Sequence, residues 1–135
     1  MKKKGLTYYK KRAWKMFSTY IRTRDSLKTT GSTDKCVCIT CNKRKEFRRI
    51  QAGHAIGGRN NSILFDEELV NGQCDGCNGF GNGKYAEYSL WFIENYGLKK
   101  WEDKVKLSKQ LVKYTKQDYK DKYEEFKNKL EELNI

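Results

Sequence analysis

The 135-residue sequence predicts a helix-rich α+β fold, with a metal-stapled middle between helical ends. Three observations predict it. Apolar residues recur at three- and four-residue steps near both ends. All five cysteines and the only histidine fall between residues 36 and 82. Proline is absent, so no helix is broken by one. The boundaries follow as 1–30 for a basic N-terminal helix, 36–97 for a cysteine-stapled core and 98–135 for a helical extension, together one compact domain.

The elements can be justified in order. Tyr9, Ala13, Met16, Phe17, Tyr20, Arg24 and Leu27 set a helical stripe over 6–28. Gly31-Ser32-Thr33-Asp34 reads as a loop. Short strands are expected near 46–52 and 62–66, with 57–61 as the loop between them. A helix should begin near Asp75–Asn78 and run on for a few turns. A second should cover 85–96, with Gly97 as a left-handed stop, and a third 99–113. Thr115-Lys116-Gln117-Asp118 reads as a capping-box variant that opens a last helix striped by Tyr119, Tyr123, Phe126, Leu130 and Leu133.

Cysteine spacing gives the sharpest chemical signal. Cys38-Ile39-Thr40-Cys41 and Cys74-Asp75-Gly76-Cys77 are two C-x-x-C knuckles. A two-residue gap lets both sulfurs of a knuckle reach one ion, and four thiolates suit tetrahedral zinc. Such a shell is closed, so the zinc is structural. Cys36 is left over and is expected to be free or packed. No apolar run approaches a membrane span, and no signal-peptide stretch follows Met1-Lys2-Lys3-Lys4; the reading is an intracellular, cytoplasmic protein.

Net charge is +12, and its distribution is uneven. Residues 1–50 carry 16 Lys+Arg against 3 Asp+Glu, whereas 51–135 carry 13 against 14. A basic half of this kind points to a polyanion, and its closeness to the knuckles favours nucleic acid over a membrane surface. Arg22, Arg24, Lys43, Arg44, Lys45, Arg48, Arg49 and Arg59 are the candidate phosphate contacts.

His54, in Gln51-Ala52-Gly53-His54, lies between the knuckles. Asn78 and Asn82 follow it by 24 and 28 residues, one helical turn apart. The order C-x-x-C, Gly-His, C-x-x-C-Asn resembles the His-Asn-His (HNH, ββα-metal or His-Me finger) endonuclease superfamily. More closely, Tyr20–Asp25, Cys38–Cys41, Gln51–His54, Leu64–Glu67 and Gly72–Asn78, with Tyr88 and Gly97, resemble the phage-lambda NinG (Rap) recombination nuclease family over roughly residues 20–105. That resemblance implies a zinc-stapled ββα-metal finger encoded by a phage or prophage. It implies structure-specific cleavage of branched DNA such as Holliday junctions, with His54 as general base and Asn78 and Asn82 holding a catalytic Mg²⁺ or Mn²⁺. Two positions depart from the superfamily pattern: Leu69 stands where a tethering Asn is usual, and Gly53 where many members carry a metal-binding Asp. Asp66 and Asp25 are the carboxylates that could replace the latter.

A branch point presents two strands to cut and so calls for two active sites. The terminal helix is a candidate homodimer surface, with packing inside one chain the plainer use of it. Two other functions fit the same knuckles and charge: a non-catalytic zinc-binding nucleic-acid module, and a degraded nuclease serving as an adaptor.

Overall fold

The structure, a computed structural model, describes residues 3–133. It is α+β and helix-rich. Helix α1 (Leu6–Thr30) is 25 residues long and ends at Gly31, whose φ of 73° lets its N–H close on the Leu27 carbonyl at 2.9 Å. One face of α1 buries Ala13, Phe17, Tyr20 and Ile21. That face meets α4 (Lys116–Glu132), which opens with the expected capping box: the Thr115 hydroxyl accepts from Asp118 N and the Asp118 carboxylate accepts from Thr115 N. Phe17 and Phe126 lie edge to face at 4.6 Å, and Phe65 is wedged against both. Two residues of the α4 stripe, Tyr119 and Phe126, are therefore spent inside the chain, while Tyr123, Leu130 and Leu133 are partly buried at its edge.

Two small antiparallel sheets lie beyond this frame. In the first, β1 (Lys35–Val37) pairs with β2 (Arg44–Glu46), and the first knuckle forms the turn between them. In the second, β3 (Ile50–His54) pairs with β4 (Val70–Cys74), in a register that sets Ile50 opposite Cys74 and His54 opposite Val70. Two-stranded sheets are marginal alone. These are flanked by α1 on one side and α2 (Tyr85–Tyr96) on the other, where buried Tyr88 donates to the Gly53 carbonyl at 2.7 Å and accepts from Asn71 Nδ2 at 3.1 Å. Helix α3 (Leu98–Ser108) packs on α2 through Trp101 and Phe92, 5.5 Å apart, and Lys104 pairs with Asp66 at 2.7 Å.

Four local expectations are corrected. Residues 62–66 form no strand; Ile63, Leu64 and Phe65 are buried, but successive turn hydrogen bonds hold them, as from Ile63 N to the Asn60 carbonyl and from Asp66 N to the Ile63 carbonyl. The strand that returns to β3 comes later, at 70–74. The helix expected from Asp75–Asn78 is one π-helical turn, Gly76–Phe80, followed by a tight turn in which Asn82, Gly83 and Lys84 all have positive φ. Helix α3 stops at Ser108 rather than 113, where the Ser108 hydroxyl turns back to the Val105 carbonyl. Gly97 does end α2, but at φ 93° and ψ 157°, outside the left-handed helical region.

Candidate metal centre and catalytic cleft

The four knuckle sulfurs of Cys38, Cys41, Cys74 and Cys77 lie within 4.8 Å of one another, close enough to hold one metal ion such as zinc. The donor chemistry fits. The Cys38 sulfur accepts from Cys74 N at 3.3 Å and lies 3.5 Å from the Thr40 hydroxyl. These donors outweigh burial and pull the Cys38 thiol down to about 6, towards the thiolate that a metal needs. Burial pushes the Cys77 thiol up to about 12. Cys36 stays outside the group, packed under Gly72 and facing the Thr29 hydroxyl. Among the described residues this is the only His/Cys/Asp/Glu cluster of three or more that could hold a metal.

From this anchor β3 carries His54 to a cleft against α1. The imidazole is 7% exposed and stacks on Trp14, with ring centres 5.5 Å apart and planes 15° from parallel. Its Nε2 lies 3.2 Å from the Leu64 carbonyl. A carbonyl can only accept, so the neutral ring keeps its proton on Nε2 and leaves the Nδ1 lone pair free. Burial lowers the His54 pKa to about 4, with the nearby Arg59 charge acting in the same direction. The ring is therefore neutral at physiological pH.

His54 and Asn78 line one cavity of about 110 Å³, together with Trp14, Gly57, Arg59 and Tyr85. Asn78 also opens onto an adjoining groove of about 360 Å³, lined by Trp14, Ser18, Arg22, Gln51, Arg48 and Arg59 among others. No acidic side chain lines either space. Asn78 Nδ2 donates to Gln51 Oε1 at 2.6 Å, so Oδ1 is the group it has left for a cation. Asn82 does not join it. Because the π turn ends at Phe80, Asn82 falls in the following turn at φ 53°, exposed and away from both cavities. The expected pair of amides on one helix face is not formed.

The basic residues separate into two sets. Arg22, Arg48 and Arg59 wall the groove; the Arg22 guanidinium lies over Phe47 and that of Arg59 over Trp14, at 4.8 and 4.3 Å. Arg24, expected against phosphate, is turned inward. It pairs with Asp25 at 2.8 Å and donates to the Glu67 and Val70 carbonyls and to Asn71 Oδ1. Arg49 is tied to Asp75 at 3.1 Å, while Lys43, Arg44 and Lys45 lie on and beside β2, outside the groove. Asp25 and Asp66 are also committed elsewhere. Asp25 accepts from Gly72 N at 2.7 Å, and Asp66 caps Glu68 and Leu69 and pairs with Lys104. Neither supplies a carboxylate to the cleft.

Both departures at 53 and 69 have a local cause. A Cβ on Gly53 would sit 2.1 Å from Gln73 Oε1, so the buried Gln73 fills the space an Asp would need. Leu69 is fully buried, and its carbonyl accepts from Ala55 N to hold the end of the hairpin. One site residue lay outside the sequence reading. Trp14 is off the apolar stripe, yet Trp14, Ser18 and Arg22 recur every four residues and form the α1 wall of the groove.

The family model of the bacteriophage lambda NinG protein matches residues 1–135. The chain belongs to the NinG family. No curated protein and no solved structure matches it significantly. This NinG-family chain is thus a phage-family protein with a four-cysteine cluster that could hold a metal ion and a basic cleft that holds its only histidine. Among the described residues no helix is long and apolar enough to cross a membrane.

Proposed function

We propose that this NinG-family chain is an HNH-type, divalent-cation-dependent endonuclease that hydrolyses DNA phosphodiester bonds, with branched recombination intermediates such as Holliday junctions as its substrates. One observation carries the reading: a neutral histidine, its Nε2 proton committed to the Leu64 carbonyl, shares a cavity with an asparagine and an acid-free arginine groove.

Each group then has a task. His54 Nδ1 accepts a proton from a water aligned on phosphorus; burial keeps the ring unprotonated, and a bound phosphate raises its basicity by placing negative charge beside it. Trp14 holds the ring plane by stacking on it. Arg59 and Arg22 bind the non-bridging oxygens, where charge grows in the transition state. Asn78 would hold Mg²⁺ or Mn²⁺ through Oδ1. When bound, the cation supplies Lewis-acid stabilisation of the leaving 3′ oxygen. One amide and no carboxylate make a weak site, so activity should need cation well above trace levels. The thiolate zinc site lends the cleft its rigidity rather than its chemistry.

The absence of an acidic ligand from the cleft lining favours one rival, a NinG-family module that binds nucleic acid without cutting it. Plasmid nicking, with and without Mg²⁺ or Mn²⁺, separates the two. Under the nuclease reading His54→Ala keeps DNA affinity and loses on the order of 10²–10⁴ in cleavage rate. Wild-type protein that binds but never nicks, whatever the cation, leaves only the binding module. Parallel cleavage of a four-way junction, a flap and plain duplex then tests the substrate class.

A further inference from the structure

The most exposed large apolar side chain among the described residues is Phe80, at 95%. Its position is informative. It ends the same π turn that carries Asn78 into the cleft, between Gly79 and Gly81, and a Cβ at Gly79 would meet nothing within 4 Å. The turn is a bare protrusion with an aromatic ring at its tip. Nothing in the fold uses that ring, unlike Phe17, Phe65, Phe92 and Phe126, which all sit in aromatic clusters. Leu111 is nearly as exposed, but it lies between α3 and α4, whereas Phe80 shares its turn with the cleft residue Asn78.

The surroundings select the occupant. From residue 76 to 84 the only charged side chain is Lys84, and the groove beyond Asn78 is walled by three arginines with no acid. Asn78, two residues before Phe80 on the same turn, lines that groove, so a polyanion drawn into it meets the turn at Asn78. An aromatic ring next to such a track finds its complement in the face of a nucleobase, since every base has a π face and stacking tolerates any sequence. We infer that Phe80 is a stacking wedge, which seats against an unpaired or unstacked base beside the phosphate held in the His54–Asn78 cleft. The inference rests on the nucleic-acid half of the proposed function. It also sets a substrate preference. In continuous duplex each base face is covered by its neighbours, so the ring gains nothing without first opening a step. A fork, flap or branch presents that face already open.

The ring's exposure makes the test clean, because Phe80→Ala removes no packing. Full-length zinc-loaded protein, without added Mg²⁺ or Mn²⁺, is titrated with a forked DNA and with a fully paired duplex of equal length. The fork carries photoreactive 5-iodouracil at its first unpaired position. Phe80→Ala is expected to weaken fork binding about tenfold while changing duplex binding by less than about twofold, and Phe80→Trp to restore the fork. The crosslink from the unpaired base should map to Phe80. Equal loss on both DNAs, no loss on either, or crosslinks mapping elsewhere overturns the wedge and leaves the nuclease reading standing. Failure of the wild type to bind either DNA overturns both. Fork selectivity that depends on Phe80, in a protein that cuts nothing when Mg²⁺ or Mn²⁺ is supplied, keeps the wedge and removes the nuclease.

Discussion

The α1–α4 frame and the knuckled hairpins solve the same problem by different means. The frame buries aromatic rings: Phe17, Phe65, Tyr119 and Phe126 pack edge to face along two helices. The hairpins have less apolar bulk of their own, since Ala52 and Val70 are buried in the frame's cluster. Their strands are three to five residues long, and their core is Ile50 and cysteines. Apolar area holds the first region, and the second gathers four sulfurs that could hold a metal ion. The candidate site lies on the seam, with Trp14 and Arg22 from the frame and His54 and Asn78 from the hairpins. A cleft built from both is only as precise as the weaker half.

Metal removal is the sharpest way to break that contrast. Structural zinc sites contribute about 10–16 kcal/mol of apparent binding free energy at neutral pH. Chelation, or Cys74→Ser, should therefore release residues 35–84 to protease while the far-ultraviolet dichroism of the long helices largely persists. An apo protein with unchanged proteolysis would show that the hairpins stand without an ion. The opposite change belongs to the frame. Phe17→Ala removes a fully buried ring and should cost about 3–5 kcal/mol in denaturant unfolding, yet the protein should still bind one zinc per chain. Loss of zinc along with stability would mean that the two halves do not fold separably.

The two regions also differed in how far they could be read beforehand. Knuckle spacing is a direct statement about which sulfurs can share one ion, so the cluster of Cys38, Cys41, Cys74 and Cys77 was legible from the two C-x-x-C pairs alone. The α4 stripe and the Thr115 cap were legible because helix periodicity and capping are local. The cleft was legible only in part. His54 and Asn78 do line one cavity, but the expectation for Asn82 assumed a continuing helix, and three positive-φ residues after Phe80 end it. Arg24 was misread because charge in a sequence carries no direction; four acceptors from Asp25, Glu67, Val70 and Asn71 fold it inward. Strand β4 was displaced because Ile63-Leu64-Phe65 is apolar enough for a strand, yet buries itself as a chain of turns.

Acid probes the seam itself. His54 titrates near 4 in the folded chain and near 6.5 when unfolded, because burial disfavours the imidazolium. Between those values the unfolded state holds more protons, so stability falls as pH drops through the window and is fully present above it. The lost stability is about 3 kcal/mol. Acid also loosens the sulfur site, so the comparison is with His54→Gln, whose zinc ligands are the same. Wild type should lose more stability than this variant from pH 6.5 to 4. Parallel losses would place the ring in solvent rather than in the cleft.

The smallest expected effect tests whether the frame is indifferent to the site. Thr115 and Asp118 satisfy each other's backbone N–H groups at the start of α4, on an exposed surface and with no bond to either hairpin. Thr115→Ala leaves the Asp118 N–H to water and should cost about 1 kcal/mol. Since no α4 residue lines either space of the cleft, that loss should appear in urea unfolding and nowhere else: zinc stoichiometry, DNA affinity and any cleavage rate should hold. A change in DNA affinity after so slight a loss at the far helix would mean that α4 sets the angle of α1, and with it the positions of Trp14 and Arg22 along the groove.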